Sequence, residues 1–163
     1  MYHYAQDNIF CHKFLLFLPS QRVDLGQKER AIQDYNKAIQ INPNLADAYY
    51  NRGTVYADLG QKERAIQDYN KAIQINPNDY MAYYNRGIVY ALLGNFKQAI
   101  ADVSKAIELN PNDAVAYNNR GWAYYCLKKY KQALKDFDKA LELNPNYNQA
   151  KNNREACLKA LGR

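Results

Sequence analysis

Asn51, Asn85, Asn119 and Asn153 stand 34 residues apart along the chain. A carboxamide carries two N–H donors and one acceptor, the complement of what an extended peptide main chain presents. An even row of such amides is suited to gripping another chain by its backbone, whatever that chain's sequence. Rings accompany the row. Tyr50 and Tyr84 precede two of the amides, and Trp122 follows a third by one helical turn. They supply rigid apolar area with a polar tip.

Other chemistry has little to stand on. The two histidines, His3 and His12, both lie in an irregular opening stretch. There is no His–Glu pair at metal-ligand spacing, no Gly-rich phosphate loop and no nucleophile elbow. Three cysteines, an odd number, make neither a fully paired disulfide framework nor a four-thiolate zinc site. Cys126 reads as a small buried hydrophobe rather than a reactive thiol. No cofactor, no metal and no enzymatic activity are expected.

The elements that must position the amides come from a repeat. Four Asn-Pro-Asn triplets hold Pro43, Pro77, Pro111 and Pro145, each 34 residues from the next. Asp24 to Asn44 reads DLGQKERAIQDYNKAIQINPN, and Asp58 to Asn78 repeats it unchanged. Each unit reads as two helices. From Asp47 to Leu59, Tyr49, Gly53 and Tyr56 share one helical face; from Glu63 to Ile75, Ala65, Ile66, Tyr69, Ala72 and Ile73 do the same. Gly60 sits where the first helix should end. The second stops at Asn76-Pro77-Asn78, because a residue before proline is pushed out of the helical region. Asp79 is a natural N-cap for the next helix. Connections this short force antiparallel neighbours, and Gly53, Ala65 and Ala72 let the backbones approach.

The order aromatic, Gly, Tyr, Ala, aromatic, Ala, Pro resembles the tetratricopeptide repeat family. In the second unit these residues are Tyr49, Gly53, Tyr56, Ala65, Tyr69, Ala72 and Pro77. The third unit has Tyr83, Gly87, Tyr90, Ala99, Val103, Ala106 and Pro111. The fourth has Tyr117, Gly121, Tyr124, Ala133, Phe137, Ala140 and Pro145. Tyr replaces the family's usual Trp, and Arg52, Arg86 and Arg120 replace its usual Leu before the Gly. The resemblance implies an all-α fold, a right-handed α-solenoid of antiparallel helix pairs whose first helices line a concave face. It places Asp47, Tyr50, Asn51, Thr54 and Asp58 on that face in unit two, and Met81, Tyr84, Asn85, Ile88 and Leu92 in unit three. In unit four it places Val115, Asn118, Asn119, Trp122 and Cys126 there, with Asn153 continuing the series. Some members of the family hold a peptide main chain with such an Asn ladder. The implied function is a scaffold or adaptor that binds an extended segment of a protein or peptide partner. The candidate contacts are Tyr50, Asn51, Thr54, Tyr84, Asn85, Ile88, Asn118, Asn119, Trp122 and Asn153.

The family's carboxylate clamp grips a C-terminal Glu-Glu-Val-Asp-like tail with Lys, Asn and Arg. Asn85 fits its middle position. Tyr50 and Thr54 stand where the first Lys and Asn belong, and Val115 and Asn119 where the later Lys and Arg belong, so this clamp is disfavoured. Tyr56, Tyr90 and Tyr124 read as core packing. Arg52, Arg86 and Arg120 are expected to pack their stems between helices and reach a carboxylate or carbonyl. Asp68 and Asp102 read as solvating residues on exposed second-helix faces.

The resulting division is a degenerate segment 1–23, the second helix of unit one at 24–45, repeats at 46–79, 80–113 and 114–147, and a capping helix at 148–163. In residues 1–23, Pro19 falls in the Gly phase, which predicts a broken first helix. The apolar run 9–18, interrupted by Lys13 and followed by no small-residue cleavage site, reads as a degenerate covering helix rather than a signal peptide. No apolar run approaches the roughly 18 residues of a membrane span, and a cytoplasmic protein is expected. Residues 114–163 carry 10 Lys plus Arg against 4 Asp plus Glu, which equals the whole net charge of +6. That basic end is the basis of a rival reading, docking to nucleic acid or an anionic membrane. Helical repeats that read RNA do not share this period or these Asn-Pro linkers, so nucleic acid is the less favoured partner. Self-assembly through the N-terminal end is a third reading.

Overall fold

The computed structural model describes residues 25–162. The readings of the broken first helix and of the covering run 9–18 lie outside the described residues. Among the described residues there are eight helices and no strand. They are α1 (Leu25–Ile41), α2 (Ala46–Asp58), α3 (Lys62–Ile75), α4 (Tyr80–Leu92), α5 (Phe96–Leu109), α6 (Ala114–Cys126), α7 (Tyr130–Leu143) and α8 (Asn148–Ala160). Each packs against its successor, and the first helices α2, α4, α6 and α8 also touch one another in sequence. First helices that meet across units put themselves on the inner side of the curve. The architecture is an all-α solenoid of helix pairs.

Local chemistry sets the turns. Inside a unit, the chain leaves the first helix through a residue with positive φ: Gly60 at 72°, Gly94 at 78° and Lys128 at 59°. The following N–H closes a bond to a carbonyl five residues back, Gln61 to Tyr56 at 2.8 Å and Asn95 to Tyr90 at 2.8 Å. This is the Schellman geometry that satisfies helix-end carbonyls. Between units, Asn42, Asn76 and Asn144 accept from the backbone N–H two residues on, at 3.0, 3.2 and 3.1 Å. The Asx turn and the proline together end the helix. Asp79 caps α4 by accepting from Met81 and Ala82, and Asp113 caps α6 by accepting from Val115 and Ala116.

The helix crossings leave no room for a larger residue. A Cβ on Gly87 would lie 2.8 Å from Val103 Cγ2, and one on Gly121 would lie 2.8 Å from the Phe137 ring. Ala65, Ala72, Ala99, Ala106, Ala133 and Ala140 are all buried beneath these crossings. Tyr69 and Phe137 are the largest side chains fully enclosed. Tyr56, Tyr90 and Tyr124, expected in the core, are only half-buried. The repeated 21-residue segment provides an internal control. In α3 it buries Ala65, Asp68, Tyr69 and Ala72, whereas the same sequence in α1 buries nothing. The difference is neighbours: α3 lies between α2 and α4, while α1 has α2 alone among the described helices.

One expectation fails here. Asp68, Asp102 and Asp136 do not solvate the outer faces; they are buried, at 5%, 7% and 5% exposure. Each receives two hydrogen bonds from the Arg that precedes it by 16 residues. Arg52 reaches Asp68 at 2.8 and 2.7 Å, Arg86 reaches Asp102 at 2.7 and 2.6 Å, and Arg120 reaches Asp136 at 2.8 and 2.7 Å. The remaining guanidinium nitrogen donates 16 residues backward, to Asn36, Asn70 and Ser104 respectively. Each Arg therefore ties its own first helix to the second helix of the same unit and to the second helix of the unit before. The bidentate fork suits this geometry, and Lys would not replace it. Arg154 on α8 keeps only the backward arm, to Asp138 on α7.

Candidate functional site

The inner side of the solenoid is built by α2, α4, α6 and α8. Tyr50, Asn51 and Thr54 lie on α2, Tyr84, Asn85 and Ile88 on α4, Asn118, Asn119 and Trp122 on α6, and Asn153 on α8. The amide row exists, and three of its members are tied across units. Asn85 Nδ2 donates to Tyr50 Oη at 3.0 Å, Asn119 Nδ2 to Tyr84 Oη at 2.7 Å, and Asn153 Nδ2 to Asn118 Oδ1 at 2.9 Å. Every one of these bonds spans 35 residues. Tyr50 and Tyr84 therefore do two jobs: their rings pack between units, and their hydroxyls receive the next unit's amide. Burial pushes both phenols above their ordinary range, so they stay neutral.

The bond to Tyr50 uses one N–H of the Asn85 amide; it leaves the second N–H and the carbonyl oxygen. Asn119 Oδ1 also accepts from Asn118 Nδ2 at 3.3 Å, which uses one of its two lone pairs. Such inter-unit bonds fix the amide orientation, which limits the ordering cost of any further contact. Thr54 donates to the Tyr50 carbonyl of its own helix at 3.1 Å and accepts from Tyr69 at 3.3 Å.

Exposure divides the ten candidates. Tyr50, Asn51, Thr54, Tyr84, Asn85 and Asn119 are half-buried and keep some accessible surface. Asn118 has no exposed surface, and Asn153 is 3% exposed. These two face each other across the α6–α8 contact, so their amides hold the cap in place. Ile88 and Trp122 are also buried, the indole within a cluster with Ala133, Phe137 and Cys157 and stacked on Tyr125 at 5.1 Å. They are the floor of the inner face rather than its surface. On the first helices α4 and α6, Met81 and Val115 are exposed apolar residues, at 40% and 44% exposure. Between α2 and α4, a notch of about 40 Å³ opens, lined by Thr54, Ala57, Asp58, Asn85, Ile88, Val89 and Leu92 together with Tyr69.

Arg52, Arg86 and Arg120 do reach carboxylates, as expected; what sequence reasoning missed is that their partners are Asp68, Asp102 and Asp136 and that these are buried. The signal was there: Asp68, Asp102 and Asp136 follow Arg52, Arg86 and Arg120 at one constant spacing of 16. Among the described residues, no group of three or more His, Cys, Asp or Glu could hold a metal ion, and no helix is long and apolar enough to cross a membrane.

Stacked helix hairpins with small residues at their crossings and first helices on the inner side define a helical-repeat scaffold of the kind that binds other proteins. The profile described as Tetratricopeptide repeat matches residues 46–79, 80–113 and 114–147, and one described as TPR repeat matches residues 20–60. The chain belongs to the tetratricopeptide repeat family. It is similar to the first TPR of Spaghetti (RPAP3) bound to the HSP90 peptide SRMEEVD, with 32% identity and a TM-score of 0.70 over 72% of this chain and 94% of that one. The first TPR domain of human RPAP3 is 32% identical, with a TM-score of 0.69 over 74% of this chain and 95% of that one. The crystal structure of MamA shares the fold at 24% identity, with a TM-score of 0.79 over 86% of each chain. No curated protein sequence matches the chain.

Proposed function

We propose that this protein is an interaction scaffold that holds an extended segment of a protein partner along its inner face. One observation carries the reading: half-buried amides repeat in register on α2, α4 and α6, with half-buried Tyr rings beside them on α2 and α4, and Asn85 and Asn119 are oriented by bonds to the preceding unit with hydrogen-bonding capacity left over. Main-chain recognition needs regularly placed donors and acceptors, and pre-orientation lowers the entropy lost on binding. Asn51, Asn85 and Asn119 are the amides assigned to this role, with Tyr50, Thr54 and Tyr84 beside them. Asn118, Ile88, Trp122 and Asn153 shape and hold the face from beneath. The structural neighbour that carries a bound peptide, the first TPR of Spaghetti (RPAP3) with SRMEEVD, supports a peptide as the class of ligand.

The test is chemical-shift mapping on the isotope-labelled full chain, titrated with a peptide recovered by panning a random display library. Shifts should concentrate on inner positions of α2, α4 and α6. Shifts confined to the outer faces of α5 and α7 would reject the groove.

A further inference from the structure

Charge and apolar exposure are distributed unevenly along the inner face. None of the inner-face positions on α2, α4 and α6 is Lys or Arg. The exposed charges there are Asp47 and Asp58, both on α2 and about 16 Å apart along it. Lys28 Nζ approaches Asp58 only at 3.9 Å, with 44% of the Asp58 side chain exposed, so that carboxylate keeps much of its field. Asp47 lies in the first turn of α2, at the repeat position that Met81 and Val115, both exposed, occupy in the following units. The notch between α2 and α4 has apolar walls from Ala57, Ile88, Val89 and Leu92, with Asp58 among the residues that line it. Lys28 lies beside Asp58, and Lys62 Nζ donates to the Leu92 carbonyl at 3.3 Å, but the inner positions themselves offer an acidic ligand two carboxylates and neither Lys nor Arg. A ligand with apolar side chains and a positive charge would find a counterpart for each.

We propose that the segment held by this face is apolar along α4 and α6 and carries a basic residue where it crosses α2. This rests on the groove reading above and narrows it to one class of partner, an extended apolar segment with a basic flank. The exposed apolar residues give affinity, and the two carboxylates give selection and direction, since a single charged end of the groove fixes which way the segment runs.

The experiment pans a library of short random peptides against the full chain at physiological salt and sequences the survivors. Enrichment of Lys and Arg by about threefold, the scale of one exposed ion pair, with a parallel gain in Leu, Ile, Val, Phe and Met, supports the proposal. The same panning against Asp47→Asn/Asp58→Asn should keep the apolar enrichment and lose the basic one. If acidic peptides win, or if the basic enrichment survives that double substitution, the charge assignment is wrong while the groove reading stands. If the recovered peptides bind equally well to Met81→Ser/Val115→Ser and also to Asn51→Ala/Asn85→Ala, the groove reading itself fails. A synthetic peptide of this chain's residues 9–22 serves as competitor. If it displaces the selected binders, the occupant is the chain's own opening segment and the proposal of a separate partner is overturned.

Discussion

Replacing Arg86 with Met keeps a long flexible stem and removes the guanidinium. Asp102 then loses its bonds at 2.7 and 2.6 Å while remaining 7% exposed. Removing one partner of a buried pair costs about 3–5 kcal/mol because the other charge is stranded. Proton uptake limits that loss: neutralising an ordinary Asp at pH 7 takes about 4 kcal/mol. The Arg86 cation also lies 5.6 Å from the centre of the half-buried Tyr83 ring, a contact that adds about 0.5–1 kcal/mol. The bond to Asn70 contributes little, since Asn70 is exposed and water replaces it. The expected destabilisation is about 3–4 kcal/mol. With a urea m-value of about 2 kcal/mol/M, the midpoint falls by about 1.5–2 M. Arg86→Met/Asp102→Leu should recover most of the loss, because no buried charge is left. A cost below about 1 kcal/mol for Arg86→Met would mean that these pairs are peripheral and that small residues alone set the hairpin angle.

Three further outcomes follow from particular atoms. Gly87→Ala places a methyl 2.8 Å from Val103 Cγ2 and 3.3 Å from the Ala99 carbonyl, so thermal denaturation should show a loss of about 1–3 kcal/mol. Lys128 holds φ 59° at the position where the preceding units have Gly60 and Gly94; Lys128→Gly should raise stability by about 0.5–1 kcal/mol after the entropy cost of glycine is subtracted. Peptide affinity should change little between about 50 and 200 mM salt, whereas docking through the basic surface of residues 114–163 would weaken steeply over that range.

Much of the architecture was legible because it is periodic. The Asn-Pro-Asn stops, Gly60 and the Ala series mark helix ends and crossings directly, and their 34-residue phase stacks the units. The site was legible by position only. Sequence spacing places Asn118 and Asn85 alike on first helices, one residue out of phase, yet one is fully buried and the other keeps surface. The difference arises because position 118 carries Asn where the earlier units carry Tyr50 and Tyr84. A short amide there is covered by Asn153 of the cap, while a long phenol reaches the next unit's Asn. Burial of Asp68 and Asp102 was misread for a similar reason. A carboxylate on a second helix looks solvated until the Arg that neutralises it, 16 residues away, is placed beside it. Exposure is set by neighbours in the adjacent unit, and those lie 16 or 35 residues away, beyond the reach of a single-helix pattern.

The central claim is that oriented amides on the inner face hold a partner's main chain. Calorimetric titration of a library-selected peptide into Asn51→Ala/Asn85→Ala measures it most directly. Two main-chain hydrogen bonds at about 1 kcal/mol each predict binding about thirtyfold weaker than to the parent. The lost Asn85–Tyr50 bond should cost the fold about 1 kcal/mol, leaving the chain folded. Affinity within about threefold of the parent, in a variant that remains helical, would contradict the account.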